Sequence, residues 1–159
     1  MSATVSSKPD PDKAREDKKE EKTNLILVVD DDVDLVESIA TFLTARGFAV
    51  ATAHNAKTAY GQIVKKRPDL MILDVMMDYA EEGMVFASAL KSDGPTRDIP
   101  ILMLSGFTAT EATRQKVVAS LLGQEWPVDM FVEKPVRLAD LAERIEKLLK
   151  PSDGLLVQE

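Results

Sequence analysis

From Asn24 onward, short apolar runs alternate with amphipathic stretches five times along the chain. Apolar runs bounded by polar or turn-forming residues are typical of buried strands, and amphipathic stretches are typical of helices that cover a sheet. Regular alternation of the two is the pattern of a parallel sheet with helices on both faces. The sequence therefore predicts an α/β fold with a doubly wound, five-stranded parallel sheet.

The five predicted strands follow from the apolar runs. They are Leu25 to Val29, Phe48 to Ala53, the run "RPDLMILD" ending on Asp74, Ile99 to Leu104 with Ser105 at its end, and Phe131 with Val132.

The predicted helices fill the intervals between the strands. They run from Val33 to Arg46, from the capping residue Asn55 to about Lys66, through "EGMVFASALKSDG", from the capping box of Thr108 and Glu111, and from about Arg137 to Leu149. Gly47 follows the first helix, where a left-handed C-cap residue belongs.

The length of 159 residues is enough for one well-packed domain. Residues 1–23 hold six basic and six acidic side chains and one Val, so we predict a disordered, charged N-terminal tail. Residues 24–150 form the predicted domain. Residues 151–159 open with Pro151 and are predicted to be a short C-terminal tail without space for another domain.

Charge and composition exclude several classes of protein. The net charge of −7 and the lack of a concentrated basic patch argue against direct nucleic-acid binding. The chain has no cysteine, so it has neither a disulfide framework nor a thiolate metal site. No apolar run approaches membrane-spanning length, and the N-terminus is charged where a signal peptide would be apolar, so we expect a cytoplasmic protein without membrane contact.

Polar side chains stand at the carboxyl ends of four predicted strands. In doubly wound sheets, ligands bind beyond these ends. The residues there are Asp30, Asp31 and Asp32 after the first strand, Asp74 in the third, Ser105 in the fourth and Lys134 after the fifth. Helix capping could explain each polar residue singly, because Asp is a preferred N-cap. Capping does not explain why carboxylates, a hydroxyl and a lysine share one edge, and we therefore predict a binding pocket.

Such a pocket has a definite chemistry. Neighbouring carboxylates are a hard-oxygen ligand set suited to Mg²⁺, which prefers one or two carboxylates together with waters and phosphate oxygens. With the cation in place, a phosphoryl group could also meet the Lys134 ammonium and the Ser105 hydroxyl. Asp74 is then the natural nucleophile, and its attack on phosphorus would yield an aspartyl phosphate.

At this level of detail the sequence resembles the response-regulator receiver domain of bacterial two-component signalling, a CheY-like module. The resemblance covers about residues 24–150. "LILVVDDDVDLVESI" is similar to the family's first strand and acidic pair, and "RPDLMILDVMM" to its phosphoacceptor strand. "IPILMLSG" is similar to its hydroxyl-bearing strand, and "DMFVEKPV" to its lysine-proline motif.

The resemblance implies a flavodoxin-like (βα)5 fold with strand order 2-1-3-4-5. It also implies a role for each matching residue: Asp30 and Asp31 as the metal-binding acidic pair, Asp74 as the phosphoacceptor, Met76 as the residue whose backbone carbonyl binds the metal, Ser105 as the phosphate-sensing hydroxyl, Lys134 as the phosphate-binding lysine, Pro135 following it through a cis peptide bond, and Phe131 as the aromatic switch residue. Asp32 would mainly start a helix.

Two features depart from the family pattern. After Asp74 the family usually has Met-Pro and then a glycine, whereas "DVMMDYAEEGM" has Asp78 in place of the proline and Gly83 one residue late. Between Ser105 and Lys134 lie 28 residues, more than receivers usually need. We expect the extra residues around Trp126 either to form a lid over the core or to offer a surface to a partner.

The resemblance implies a signalling receiver rather than a classical enzyme, and we expect it to stand alone because no effector domain is visible in the sequence. It would accept a phosphoryl group on Asp74, with Mg²⁺, from a histidine kinase or histidine phosphotransfer protein. It would signal through protein contacts, with a possible homodimer through the face of the fourth helix, fifth strand and fifth helix. His54 is predicted to be a solvent-facing loop residue without a role.

Other functions are also compatible with parts of the sequence. A receiver-like module could bind partners without phosphorylation. An aspartate-nucleophile phosphatase of the haloacid-dehalogenase type would use the Asp-x-Asp within "DDD" and make Asp30 the nucleophile. It also needs a later acidic pair at a strand end, whereas the 25 residues after Lys134 are predicted to be one helix and a tail. A flavodoxin-like cofactor protein would need Ser, Thr and Gly after the first strand, where this chain has Asp.

Overall fold

The computed structural model describes residues 23–74, 82–106, 115–116, 119, 122–123 and 127–150. Met76, most of the predicted fourth helix, and Trp126 lie outside the described residues. The two predicted tails lie outside them as well, except for Thr23.

Five parallel strands form one sheet in the order β2-β1-β3-β4-β5, which confirms the predicted architecture. The strands are β1 Leu25–Val29, β2 Ala49–Ala53, β3 Leu70–Asp74, β4 Ile101–Ser105 and β5 Met130–Glu133. Strand β4 starts two residues later than predicted. Pro100 has no N–H to donate to a ladder, although its carbonyl still accepts from the Met71 N–H at 2.9 Å.

Four continuous helices lie in the described part of the chain, and residues 115, 116 and 119 are also helical. The continuous helices are α1 Val33–Ala45, α2 Ala56–Lys65, α3 Glu82–Ser92 and α4 Leu138–Leu149, and α4 is the fifth helix of the sequence prediction. The described helices are all too short or too polar to cross a membrane.

The ends of these helices confirm the predicted capping residues. The Asp32 carboxylate accepts from the Leu35 N–H at 3.1 Å, and the Asn55 side chain accepts from the Thr58 N–H at 2.8 Å. Gly47 has a φ of 97°, the left-handed conformation expected just after a helix. These local contacts fix where α1 and α2 begin after their strands and where α1 ends.

The sheet divides the apolar core into two layers, because successive side chains of a strand point to opposite faces. One layer packs under α2 and α3 and includes Leu27, Val29, Met71, Leu73, Ile101 and Met103. The other packs under α1 and α4 and includes Ile26, Val28, Leu70, Ile72, Leu102 and Leu104. The three central strands are therefore buried on both faces, which explains why they read as continuous apolar runs.

Polar contacts fix the amino-terminal edge of the sheet, opposite the predicted pocket. The Lys91 ammonium donates to the Ile99 carbonyl at 2.9 Å and to the Asp129 carboxylate at 3.0 Å. The same Asp129 oxygen accepts from the Ile101 N–H at 2.8 Å. This cluster ties the end of α3 to the starts of β4 and β5.

Asp69 has a similar role between β1 and β3, which the sequence did not reveal. Its Oδ2 accepts from the Leu25 N–H at 2.7 Å, and its own N–H donates to the Leu25 carbonyl at 2.8 Å. The carboxylate thus extends the β1–β3 pairing by one contact.

We expect Asp69→Leu to lower the free energy of unfolding by about 1–3 kcal/mol, because it leaves the Leu25 N–H without this acceptor. Asp69→Asn keeps a carbonyl oxygen at the same position and should lose less. Urea titrations of both variants against the unmodified chain provide the measurement. Equal stability of the Leu and Asn variants would contradict this role.

Candidate functional site

The predicted pocket residues stand at the carboxyl edge of the sheet. Asp30 follows β1, Asp74 is the last residue of β3, Ser105 is the last residue of β4, and Lys134 follows β5. Parallel pairing in register places these ends side by side: Asp74 pairs with Leu104, and Ser105 pairs with Glu133. The strand order therefore decides which polar residues become neighbours.

Three carboxylates converge at this edge. One oxygen from each of Asp30, Asp31 and Asp74 lies within 4.8 Å of the others. Asp30 is fully buried, Asp74 is 4% exposed, and Asp31 faces solvent. The structure brings together the three aspartates predicted to bind the metal, and it places the Asp32 side chain instead at the start of α1.

Lys134 supplies the positive charge of the site. Its Nζ lies 3.1 Å from Asp30 Oδ2 and 3.4 Å from Asp74 Oδ1. The Lys134 N–H donates to the Ser105 carbonyl at 2.7 Å, so the lysine continues the β4–β5 ladder. The Lys134–Pro135 peptide bond is cis, as predicted.

The two oxygens of Asp30 differ in their surroundings. Oδ1 accepts from the Asp32 N–H at 2.9 Å. Oδ2 is fully buried and accepts no well-aligned hydrogen bond within the described part of the chain, although the Lys134 ammonium lies nearby. A buried carboxylate oxygen in this position can coordinate a divalent cation. The donor set of three carboxylates at one strand edge therefore fits Mg²⁺.

The charges of the site shift two pKa values. Although Asp31 faces solvent, partial desolvation of its carboxyl group at the pocket, together with the neighbouring charge of Asp30, raises its pKa. Burial alone would lower the pKa of Lys134, but the contacts with Asp30 and Asp74 outweigh this effect, so its pKa is raised. The metal-free site thus disfavours the ionised form of Asp31 and favours the ammonium form of Lys134.

Ser105 and Phe131 lie on the two neighbouring strands β4 and β5. Ser105 is 1% exposed. Phe131 pairs with Met103 and is partly buried against the core layer under α2 and α3. This arrangement places a polar residue at the strand edge and an aromatic ring two residues below it. Their assignment as switch residues stays a prediction, as does the assignment of the Met76 carbonyl, which lies outside the described residues.

His54 is exposed, as predicted, yet it contacts the site. Its Nδ1 lies 3.0 Å from the backbone carbonyl oxygen of Asp30. Sequence reasoning assigned this residue no role. The available signal was its position directly after β2, since β1 and β2 are neighbours in the predicted strand order and the ends of parallel neighbours meet.

The fold and the site together define a class of protein: a doubly wound sheet with an acidic, lysine-containing pocket at its carboxyl edge. The family model for the response regulator receiver domain matches residues 26–146. The chain belongs to this family, and it is thus a receiver domain of two-component response regulators, a class of signalling domains.

Curated relatives agree with this assignment. The response regulator MprA of Mycobacterium bovis is 37% identical over 132 residues, which cover 81% of this chain and 53% of the relative. MprA of Mycobacterium avium is 37% identical over 131 residues, with 80% and 53% coverage. The chain spans about half the length of the curated relatives it matches.

Solved structures show the same fold. A response regulator from Chloroflexus aurantiacus superposes with a TM-score of 0.68 at 27% identity, covering 80% of this chain and 98% of that one. The receiver domain of NtrX from Brucella abortus superposes with a TM-score of 0.65 at 28% identity, covering 78% and 97%.

Lys134→Met should destabilise the metal-free protein by about 3 kcal/mol, because two buried carboxylates would then face each other without their cation. Because the pKa of Lys134 is raised in the folded state, its ammonium contributes its full stabilisation below the ordinary lysine value of 10.5. This stabilisation is lost as the pH rises through the folded-state pKa. Urea unfolding in EDTA at pH 7 measures the effect, with Lys147→Met on the exposed face of α4 as the control. Equal losses in the two variants would contradict the role of Lys134.

Asp31→Asn should stabilise the metal-free protein at neutral pH. Between 3.8 and the raised pKa, the folded state binds more protons at Asp31 than the unfolded state. Its contribution to the free energy of unfolding therefore falls as the pH rises through this window. In unfolding from pH 3 to 8 in EDTA, the gain of Asp31→Asn should grow through this window and be complete above it, and Asp98→Asn in an exposed turn should show none. A stability loss on Asp31→Asn would contradict the prediction.

Proposed function

We propose that this receiver domain accepts a phosphoryl group on Asp74, with Mg²⁺, from a histidine kinase or a histidine phosphotransfer protein. The observation that carries the proposal is the convergence of the Asp30, Asp31 and Asp74 carboxylates within 4.8 Å, with the Lys134 ammonium in contact with two of them. Asp74 ends the central strand β3 and faces both the acidic pair and the lysine, so it is the proposed nucleophile.

The proposed transfer needs positioning rather than a separate base, because a carboxylate is already ionised at neutral pH. A carboxylate oxygen of Asp74 forms a bond to phosphorus as the bond between phosphorus and the donor imidazole nitrogen breaks. The electron pair of that bond stays on the imidazole nitrogen. Lys134 offsets the negative charge of the transferring oxygens. Mg²⁺ held by Asp30, Asp31 and Asp74, with the proposed help of the Met76 carbonyl, would supply further charge neutralisation.

The proposed output is a shift between two conformations. Ser105 would move toward the phosphoryl oxygens, and Phe131 would turn into the space that this movement opens. The position of Phe131 at the edge of the core, partly buried, supports such a change. The altered surface would then contact a downstream protein or a second copy of the chain, through the face of the predicted fourth helix, β5 and α4.

We propose protein partners rather than direct nucleic-acid contact for residues 24–150. The net charge of the chain is −7, and residues 1–23 are neutral as a whole. The acidic surplus therefore lies in the remaining residues, where phosphate binding would need a concentrated basic surface.

Incubation with acetyl phosphate and Mg²⁺ should add one phosphoryl group, at Asp74. Intact-mass measurement gives the number of groups, and mass spectrometry after borohydride reduction gives the residue. Asp74→Asn should abolish the modification, since an amide oxygen is a far weaker nucleophile than a carboxylate oxygen. Asp129→Asn, at the opposite edge of the sheet, is the matched control and should be modified like the unmodified chain.

The possible outcomes separate the alternative functions. Labelling of Asp30 would overturn the proposal and favour an aspartate-nucleophile phosphatase. The chain could instead bind Mg²⁺ but take up no phosphoryl group, either from acetyl phosphate or from phosphorylated histidine kinases. This result would favour a phosphorylation-independent interaction module.

A further inference from the structure

The imidazole of His54 occupies an unusual place beside the acidic site. Asp30 is the residue at which β1 leaves the sheet, and its N–H donates to the Ala53 carbonyl at 3.2 Å. In a parallel ladder the N–H and C=O of one residue point toward the same neighbour strand, so the Asp30 carbonyl also faces β2. Strand β2 ends at Ala53, and the His54 ring supplies the next donor at 3.0 Å.

This contact determines which nitrogen of the imidazole carries the proton. A carbonyl oxygen can only accept a hydrogen bond, so Nδ1 must carry the proton and Nε2 is left for solvent. The ring thus acts as a substitute for a backbone N–H. It extends the β1–β2 ladder by one hydrogen bond beyond the last paired residues, Val29 and Ala53.

The Asp30 carbonyl belongs to the peptide unit that leads into Asp31. A planar peptide held at its oxygen has a fixed orientation, and that orientation sets the direction in which the Asp31 side chain leaves the backbone. The other two carboxylates of the site have different anchors: Asp30 through the Asp32 N–H and Lys134, and Asp74 through β3 and Lys134. Asp31 faces solvent, so the direction of its backbone contributes to where its carboxylate lies.

We infer that His54 is a positioning residue for the metal site, holding the peptide between Asp30 and Asp31 so that the Asp31 carboxylate meets those of Asp30 and Asp74. The inference rests on the proposed function, because it concerns the Mg²⁺ site of that proposal. The inference goes beyond the proposed function because it assigns a role to His54, a residue of the loop after β2. Groups that orient metal ligands from outside the coordination sphere commonly contribute about tenfold or more to affinity.

A pair of substitutions separates the hydrogen bond from other effects of the ring. In asparagine, the side-chain amide nitrogen stands at the same number of bonds from the backbone as Nδ1 of histidine. His54→Asn therefore keeps a donor, whereas His54→Ala removes it. Lys57→Ala, on the exposed side of α2, is the control for a change near the same loop.

Mg²⁺ titration followed by the backbone amide signals of Asp31 and Asp32 provides the first measurement. His54→Ala should raise the Mg²⁺ dissociation constant about tenfold, while His54→Asn and Lys57→Ala should stay within about twofold of the unmodified chain. Without metal, His54→Ala should shift the Asp31 amide signal, because this amide belongs to the peptide whose carbonyl loses its donor. Asparagine should restore most of that shift.

The results distinguish this inference from the proposed function. If the unmodified chain binds no Mg²⁺, both fail. If it binds Mg²⁺ and His54→Ala binds equally well, the positioning role of His54 is wrong and the proposed function stands. A loss of affinity shared equally by the Ala and Asn variants, with unchanged melting temperatures, would also overturn the role of the hydrogen bond.

Discussion

The contact of Lys134 with two buried carboxylates is the interaction on which the rest of the site depends. Asp30 is fully buried and Asp74 is 4% exposed, so both have lost most of the water that would stabilise their charge. One ammonium, 3.1 Å and 3.4 Å from them, offsets the repulsion. It also joins the ends of β1, β3 and β5, three strands that are separated widely along the chain.

The sheet can hold such a charged edge because the remainder of the domain is strongly apolar. Strands β1, β3 and β4 are buried on both faces by two core layers. Polar contacts at the opposite edge hold the strand starts in register: Asp69, just before β3, binds Leu25 of β1, and Lys91 with Asp129 lies near the starts of β4 and β5.

Placement of the third carboxylate follows a different principle. Asp31 is exposed, and its raised pKa shows that the folded protein disfavours its ionised form when no cation is bound. A divalent cation would reverse this cost, so the proposed metal binding would be coupled to the ionisation of Asp31. The hydrogen bond from His54 to the preceding carbonyl offers a way to keep this side chain at the site before the cation arrives.

The sequence by itself determined the sheet, its connections and most of the pocket. Apolar runs placed the strands within three residues, and Asp32 and Asn55 were correctly predicted as helix caps. The polar residues identified at the strand ends were Asp30, Asp31, Asp74, Ser105 and Lys134. These features depend on local periodicity and on the rule that parallel strand ends share one edge, and both can be derived from a single chain.

Only the tertiary structure decided the contacts between segments far apart in sequence. The sequence carries no sign that Asp69 accepts from the Leu25 N–H. The position of His54 directly after β2 places this residue near the end of β1, but it does not show that the ring meets the Asp30 carbonyl. Each is a side chain bonded to the backbone of another strand, so it depends on register and on the exact place where a strand ends. Hydrophobic periodicity carries no information on either, because it reports burial and not hydrogen-bond partners.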